Sequence, residues 1–215
     1  PGQVFALVGP TGSGKTSILK LLGRLYDGYK GGITFGDTEI SNLKIESIRS
    51  KISIVTQDIS LFSESIQFNI CLGDDSIDQE RMIWAAKTVQ AHDFIMSLPD
   101  QYNTILDKGS KSLSTGQAQL ISFARALASK APILLLDEAT SAVDSLSEKH
   151  IQDALQALFK YKTTLVVAHR LSTIQHADKI LVLNKGEIIE QGTHSELMQQ
   201  DEFYAKLFNM QFASL

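Results

Sequence analysis

Cysteine is nearly absent from this 215-residue sequence. The single Cys71 excludes an intramolecular disulfide framework and fits a reducing compartment. No stretch approaches 18 consecutive apolar residues; the best run, Ala131 to Leu136, stops at Asp137-Glu138, so no transmembrane helix is expected. Charge of one sign is lacking as well. Twenty basic and 24 acidic residues leave a net charge of −4. That balance disfavours sequence-independent nucleic-acid binding, which is driven by phosphate neutralisation. No basic n-region, apolar h-region and cleavage site open the chain, and neither internal repeats nor low-complexity tracts interrupt it. What is present, 43% hydrophobic and 20% charged residues, excludes disorder as the main state and suffices for a sizeable core. The length suits one large domain or a core with a subdomain. The chain opens at Pro1, directly before a strand-like run, and is expected to be a piece of a longer polypeptide.

The apolar run Val4 to Val8 ends in a glycine-rich turn, after which a helical pattern extends from Thr16 to about Tyr26. Short strands are expected at 33–35 and 52–56. From Ile59 to about Ala128 the pattern is mostly helical, clearest at Arg81 to Met96, with a loop over 97–116 and a helix from Gln117. Further on, strands are expected at 133–136, 164–168, 180–183 and 187–190, with helices over 147–160 and 195–210. The fully apolar 133–136 run suits a parallel sheet covered on both faces. Strands alternating with helices, interrupted by a helical middle, predict an α/β fold: a core with a mostly parallel sheet and an inserted α-helical subdomain. The expected boundaries are 1–58 and 127–215 for the core and 59–126 for the insert.

Gly9-Pro10-Thr11-Gly12-Ser13-Gly14-Lys15-Thr16, followed by Ser17, matches the pattern G-x-x-x-x-G-K-[ST]. Glycines let successive backbone N–H groups turn inward around phosphate oxygens. The following helix aims its N-terminus at the same anion. Lys15 would reach the β- and γ-phosphates of ATP, and the Thr16 hydroxyl would ligate Mg²⁺. The bland alternative is a glycine-rich hairpin with an accidental lysine, and the strand before and helix after speak against it.

Asp137 and Glu138 stand at the carboxyl end of a buried strand, where open α/β sheets bind ligands. Successive strand residues point to opposite faces, so the two acids take different jobs. Asp137 would hold the Mg²⁺ shell and Glu138 would polarise the water that attacks the γ-phosphate. Alone, the pair reads equally as a cap for the next helix; beside a phosphate loop, the catalytic reading wins.

Leu113-Ser114-Thr115-Gly116-Gln117 resembles the signature motif of ABC-transporter ATPases, usually written L-S-G-G-Q. The order of motifs is similar too: phosphate loop, lone Gln57 after a strand, signature, Asp137-Glu138, Ser141 to Asp144, and His169. Phe62 to Ile66 with Asn69-Ile70, and Ala168 to Thr173, resemble the exporter type. The resemblance implies that Gln57 touches Mg²⁺ or the attacking water at the joint with the insert. It implies that His169 contacts the γ-phosphate and orients Glu138, and that Asp144 lies in a loop joining two nucleotide sites. Ser114, Thr115, Gly116 and Gln117 of one protomer would close over ATP held by the phosphate loop of another. The implied partners are a second nucleotide-binding domain and a transmembrane domain, with no nucleic acid. The implied place is the cytoplasmic face of a membrane and the implied work is ATP-driven export. The physical counterpart in the residues is a Ser-capped helix start, a second anion site.

Thr115 stands where the family most often has glycine, and threonine disfavours positive φ. Lys108 stands where many exporters carry an acid. The aromatic that stacks on adenine in the family would precede residue 1. Trp84, Phe94 and Met96 read as core, and Cys71 as a small buried hydrophobe. His92, His150, His176 and His194 show no metal-ligand spacing. Two rival readings are a soluble ABC ATPase acting on nucleic acid or ribosomes, and a non-catalytic module with a degenerate site. The first lacks a second cassette or coiled-coil insert; the joint presence of Lys15, Asp137, Glu138 and His169 speaks against the second.

Overall fold

A computed structural model describes residues 2–106, 113–137, 145–168 and 171–212. In chain order, β1 (Val4–Val8) leads into α1 (Lys15–Leu22), and β2 (Thr34–Phe35) and β3 (Thr38–Glu39) form a small hairpin. Helix α2 (Ile45–Arg49) precedes β4 (Ile52–Val55). Then come α3 (Ile66–Cys71), α4 (Gln79–Thr88), α5 (His92–Met96), α6 (Thr115–Ala128), β5 (Ile133–Asp137) and α7 (Ser145–Tyr161). The chain ends with β6 (Thr163–Val167), α8 (Leu171–Gln175), β7 (Lys179–Asn184), β8 (Glu187–Gly192), α9 (His194–Gln200) and α10 (Phe203–Phe212). The chain divides into two compact units: Pro1–Ile54 with Ala131–Ala139 and Thr163–Leu215, and Val55–Lys130 with Thr140–Lys162.

The first unit is built on a six-stranded sheet of order β4-β5-β6-β1-β7-β8. Strand β1 lies inside it, parallel to β6 and β7, with Ala6 opposite Val166 on one side and Ile180 on the other. Its unbroken apolar sequence fits that place, since a parallel strand covered on both faces has no polar side to show. Strand β5 pairs parallel with β6, and β8 closes the sheet antiparallel to β7. Glu187, Ile188 and Ile189 of β8 are exposed, as an edge strand allows. Leu19 of α1 packs into a cluster with Leu7, Leu135, Val167 and Leu183, flanked by Ile18, Leu22 and Ile54. That apolar contact anchors α1 over the sheet and so fixes where its N-terminus lies. The sheet, its parallel pairings and the helices are the α/β P-loop fold that the motif spacing predicts.

The second unit is helical and centred on α6, which packs against α3, α4 and α7. Ten of its 14 residues are buried, so it is apolar nearly all round, as a central helix must be. The unit also takes in α7, a segment that the expected boundaries assign to the sheet. The buried positions Ile151, Ala154, Leu155, Leu158 and Phe159 form a helical stripe on α7.

Some elements differ from the sequence expectation. The helix expected over 81–96 is two, because Gln90 takes a left-handed φ of 61°. The tail helix is likewise broken at Asp201, φ 51°. Helix α1 stops at Leu22, capped by Gly23 and followed by Arg24 at φ 48°. The β2–β3 hairpin turns on Gly36-Asp37, with Gly36 at φ 61°, a two-residue turn signal. Met96 is exposed rather than core, and Trp84 and Phe94 are half-buried. Trp84 stands edge-on to Tyr161 at 5.2 Å and under the Arg81 guanidinium at 5.6 Å.

Candidate active site

The turn between β1 and α1 is shaped by close approach. A Cβ on Gly9 would collide with the Leu183 carbonyl oxygen, so only glycine lets β1 pass the end of β7 there. Gly12 and Gly14 have φ of 81° and 102°, a left-handed backbone that other residues adopt at a cost. The Ser13 N–H donates to the Pro10 carbonyl at 3.2 Å, and the Ser13 carbonyl accepts from the Gly186 N–H at 3.1 Å. Pinned at both sides, the loop lies across the start of α1.

Three features of this loop await an anion. Helix α1 has no side-chain cap, and its first backbone bond is Ile18 N–H to Gly14 carbonyl, 3.1 Å. The amides of Lys15, Thr16 and Ser17 therefore have no acceptor within the helix. Ser13 is only 3% exposed, and its hydroxyl oxygen has no hydrogen-bond partner among the described residues. Lys15 is also buried, and its ammonium donates to the carbonyls of Gly9 (2.8 Å) and Pro10 (3.0 Å). Loss of water lowers its pKa, and the nearby negative charge of Asp137 works against that shift. A desolvated cation held by two loop carbonyls, a hydroxyl without a described partner and open amides are together suited to seat a phosphate.

Asp137 is the last residue of β5, half-buried beside this loop. Thr16 is half-buried in the first turn of α1, and Thr11 and Ser17 are exposed. Thr16 and Asp137 form an oxygen-only set next to the phosphate seat, which fits Mg²⁺. That ion prefers oxygen ligands and borrows substrate phosphates rather than needing an all-protein cage. Among the described residues no group of three or more His, Cys, Asp or Glu would make such a cage. Gln57 is exposed two residues past β4, in the helical unit. Glu138, Asp144 and His169 lie outside the described residues.

The signature forms its own cluster in the helical unit. The Ser114 hydroxyl accepts from the Gln117 N–H at 3.2 Å, and the Gln117 side-chain oxygen accepts from the Ser114 N–H at 2.9 Å. This reciprocal capping box starts α6 two residues before the expected Gln117. Thr115 occupies the first helical position, exposed and with no positive φ. The strain feared for threonine in place of glycine does not arise. Ser114, Gly116 and Gln117 line a cleft of about 620 Å³, together with Lys87, His92 and His150.

Other candidates settle into structural work. Cys71 is half-buried, and burial raises its thiol pKa. His92 bonds the Tyr102 hydroxyl at 2.9 Å, and His194 that of Tyr204 at 2.8 Å. Sequence reading missed the Asn69–Arg125 and Arg81–Lys162 clusters of the helical unit. Both join residues dozens of positions apart, and no spacing signals them.

Comparison with known proteins places this geometry in company. A family model described as ABC transporter matches residues 1–141. The ATP-dependent lipid A-core flippase of Saccharophagus degradans is 50% identical over 213 residues, covering 99% of this chain and 36% of the flippase. An ABC multidrug transporter of Emericella nidulans is 49% identical over 213 residues, 98% of this chain and 16% of that protein. The structure of a bacterial Atm1-family ABC exporter with ATP bound matches with a TM-score of 0.88 and 40% identity. It covers 98% of this chain and 37% of the exporter. The chain thus spans little more than a third of the flippase and of the Atm1-family exporter. Among the described residues no helix is long and apolar enough to cross a membrane.

Proposed function

The chain belongs to the ABC transporter family, and from that premise we propose that it is the ATP-hydrolysing domain of an exporter. The observation that carries this reading is the phosphate seat: open α1 amides, a Ser13 hydroxyl without a described partner and a Lys15 ammonium resting on loop carbonyls. When ATP arrives, Lys15 exchanges those carbonyls for β- and γ-phosphate oxygens, and the amides of 15–17 receive the anion. Thr16, Asp137 and Gln57 would hold Mg²⁺, which neutralises phosphate charge. Glu138 takes a proton from water as its oxygen attacks the γ-phosphorus. The bond from that phosphorus to the bridging oxygen breaks, and its electron pair leaves with ADP. His169 keeps Glu138 oriented. Here the protein mainly supplies position and charge.

The capped start of α6 supports a second role. Ser114 and the amides behind it would close on the γ-phosphate held by another copy or a homologous domain. ATP then bridges a head-to-tail dimer, with Asp144 in the loop between the two sites, and loss of the γ-phosphate releases it. The sheet unit acts as the nucleotide core and the helical unit as the signature subdomain. Phe62, Phe68, Leu72 and Ile105 of the helical unit are exposed. Such apolar surface suits the docking of a membrane domain, and the exporter reading carries with it the cytoplasmic face of that membrane. The test is Glu138→Gln. It should keep ATP binding, lower turnover by about a thousandfold and shift sedimentation toward dimer when ATP is present. Parental turnover in that variant removes Glu138 as the base.

A further inference from the structure

Asn69 of α3 is 0% exposed, yet its side chain is fully engaged. Its amide nitrogen lies 3.0, 3.3 and 3.1 Å from the carbonyl oxygens of Phe62, Glu64 and Ser65. Its side-chain oxygen accepts from the Phe62 N–H at 2.8 Å and from Arg125 Nη2 at 3.2 Å. Arg125 belongs to the last turn of α6. Its Nε donates to the Asn69 carbonyl at 2.7 Å and its Nη1 to the Ser60 carbonyl at 3.1 Å. Its guanidinium carbon stands 5.9 Å from the centre of the Phe62 ring. Phe62 itself is 51% exposed and meets Phe68 edge-on at 6.0 Å.

One buried amide therefore clamps the backbone of Phe62 from both sides, and one arginine of α6 clamps that amide. Simple packing would be served as well by apolar residues, because burying these groups costs hydration. A fully satisfied polar cluster instead specifies one geometry. From Arg125 to Ser114 is most of the length of α6, about 16 Å at 1.5 Å per residue. A small tilt at one end of such a rod is displaced along its whole length.

We propose that Asn69 and Arg125 are positioning residues which make the exposed Phe62 surface and the signature helix one rigid body. A membrane domain seated on Phe62 then sets how Ser114 meets the nucleotide. The link rests on the function proposed above, but its structural half is testable without it.

Hydrogen exchange on the 215-residue chain reads that half directly. In Arg125→Lys, and in Phe62→Ala where a surface ring alone is lost, amides at the start of α6 should exchange about tenfold faster. Unchanged exchange there in both variants overturns the rigid body. The intact transporter in lipid vesicles reads the functional half. Each variant should keep the KM for ATP within about twofold and lose about tenfold in kcat. The double variant should match Arg125→Lys alone, because a broken link has nothing left to transmit. Independent, multiplying losses overturn the link even with the parent fully active. A parent that hydrolyses no ATP refutes the proposed function instead, and hydrogen exchange still decides the rigid body. Should Arg125→Lys fail to fold, Phe62→Ala carries both measurements.

Discussion

Lys15→Met should move stability and ligand binding apart. The ammonium is buried, rests on the Gly9 and Pro10 carbonyls, and has its pKa lowered by lost hydration. The ligand-free fold thus disfavours its charge. Methionine has similar length and no charge to desolvate, and the half-exposed Gly9 and Pro10 can bond water instead. Unfolding without nucleotide should therefore stay within about 1 kcal/mol of the parent, or improve, a shift in Tm of roughly 3 °C at most. Nucleotide affinity should fall, because a hydrogen bond from a charged group to phosphate contributes about 1.5–3 kcal/mol. That is a Kd raised about 10- to 150-fold. Thermal melts without ATP, and fluorescent-nucleotide titrations with Mg²⁺, measure the two effects separately. The upward shift in Tm that ATP confers on the parent should shrink in step with the weaker Kd. A variant that melts far below the parent yet binds ATP at the parental Kd would show Lys15 to be a structural cation, and the phosphate-seat reasoning would fail.

Two further outcomes follow from named contacts. Burial, reinforced by the Arg81 charge, lowers the Lys162 pKa from 10.5 to about 8. Between about pH 8 and 10.5 the unfolded chain binds more protons at this residue than the folded one, so its contribution makes stability rise with pH. Urea melts of the parent and Lys162→Met across that window should differ in slope, the parent gaining more; equal slopes disprove the assignment. Cys71, Tyr102 and Tyr204, whose pKa values burial raises, work in the opposite direction but equally in both proteins. Gly9→Ala should cost about 1–3 kcal/mol, because the new methyl meets the Leu183 backbone. Gly12→Ala meets no atom within 4 Å and pays only for its φ of 81°, about 1–2 kcal/mol. Denaturant unfolding ranks the two, and a milder effect at Gly9 would contradict the close approach.

Local chemistry explains what was legible in advance. Val4–Val8, the phosphate loop and the apolar run into Asp137 are each written in a few adjacent residues, and the expected strands formed within a residue or two. The capping box was readable as Ser114 and Gln117, three apart. Gln90 and Asp201 were not readable as helix breaks, because neither glycine nor proline marks them. Both stand in the turn that ends a helix, Asp201 as the left-handed cap of α9 and Gln90 with its N–H on the Lys87 carbonyl.

The sequence by itself determined the α/β class, the anion-binding turn and the family resemblance, because these depend on residue types at fixed short spacing. Only the tertiary structure decided that Gly9 is required by the Leu183 carbonyl, and that Lys15 rests on loop carbonyls beside Asp137. It alone tied Phe62, Asn69 and Arg125 into one cluster. Those facts join residues 56 to 174 positions apart in some cases and a desolvated charge in another. Distance through space and loss of water are properties of the folded chain, and no linear pattern contains them.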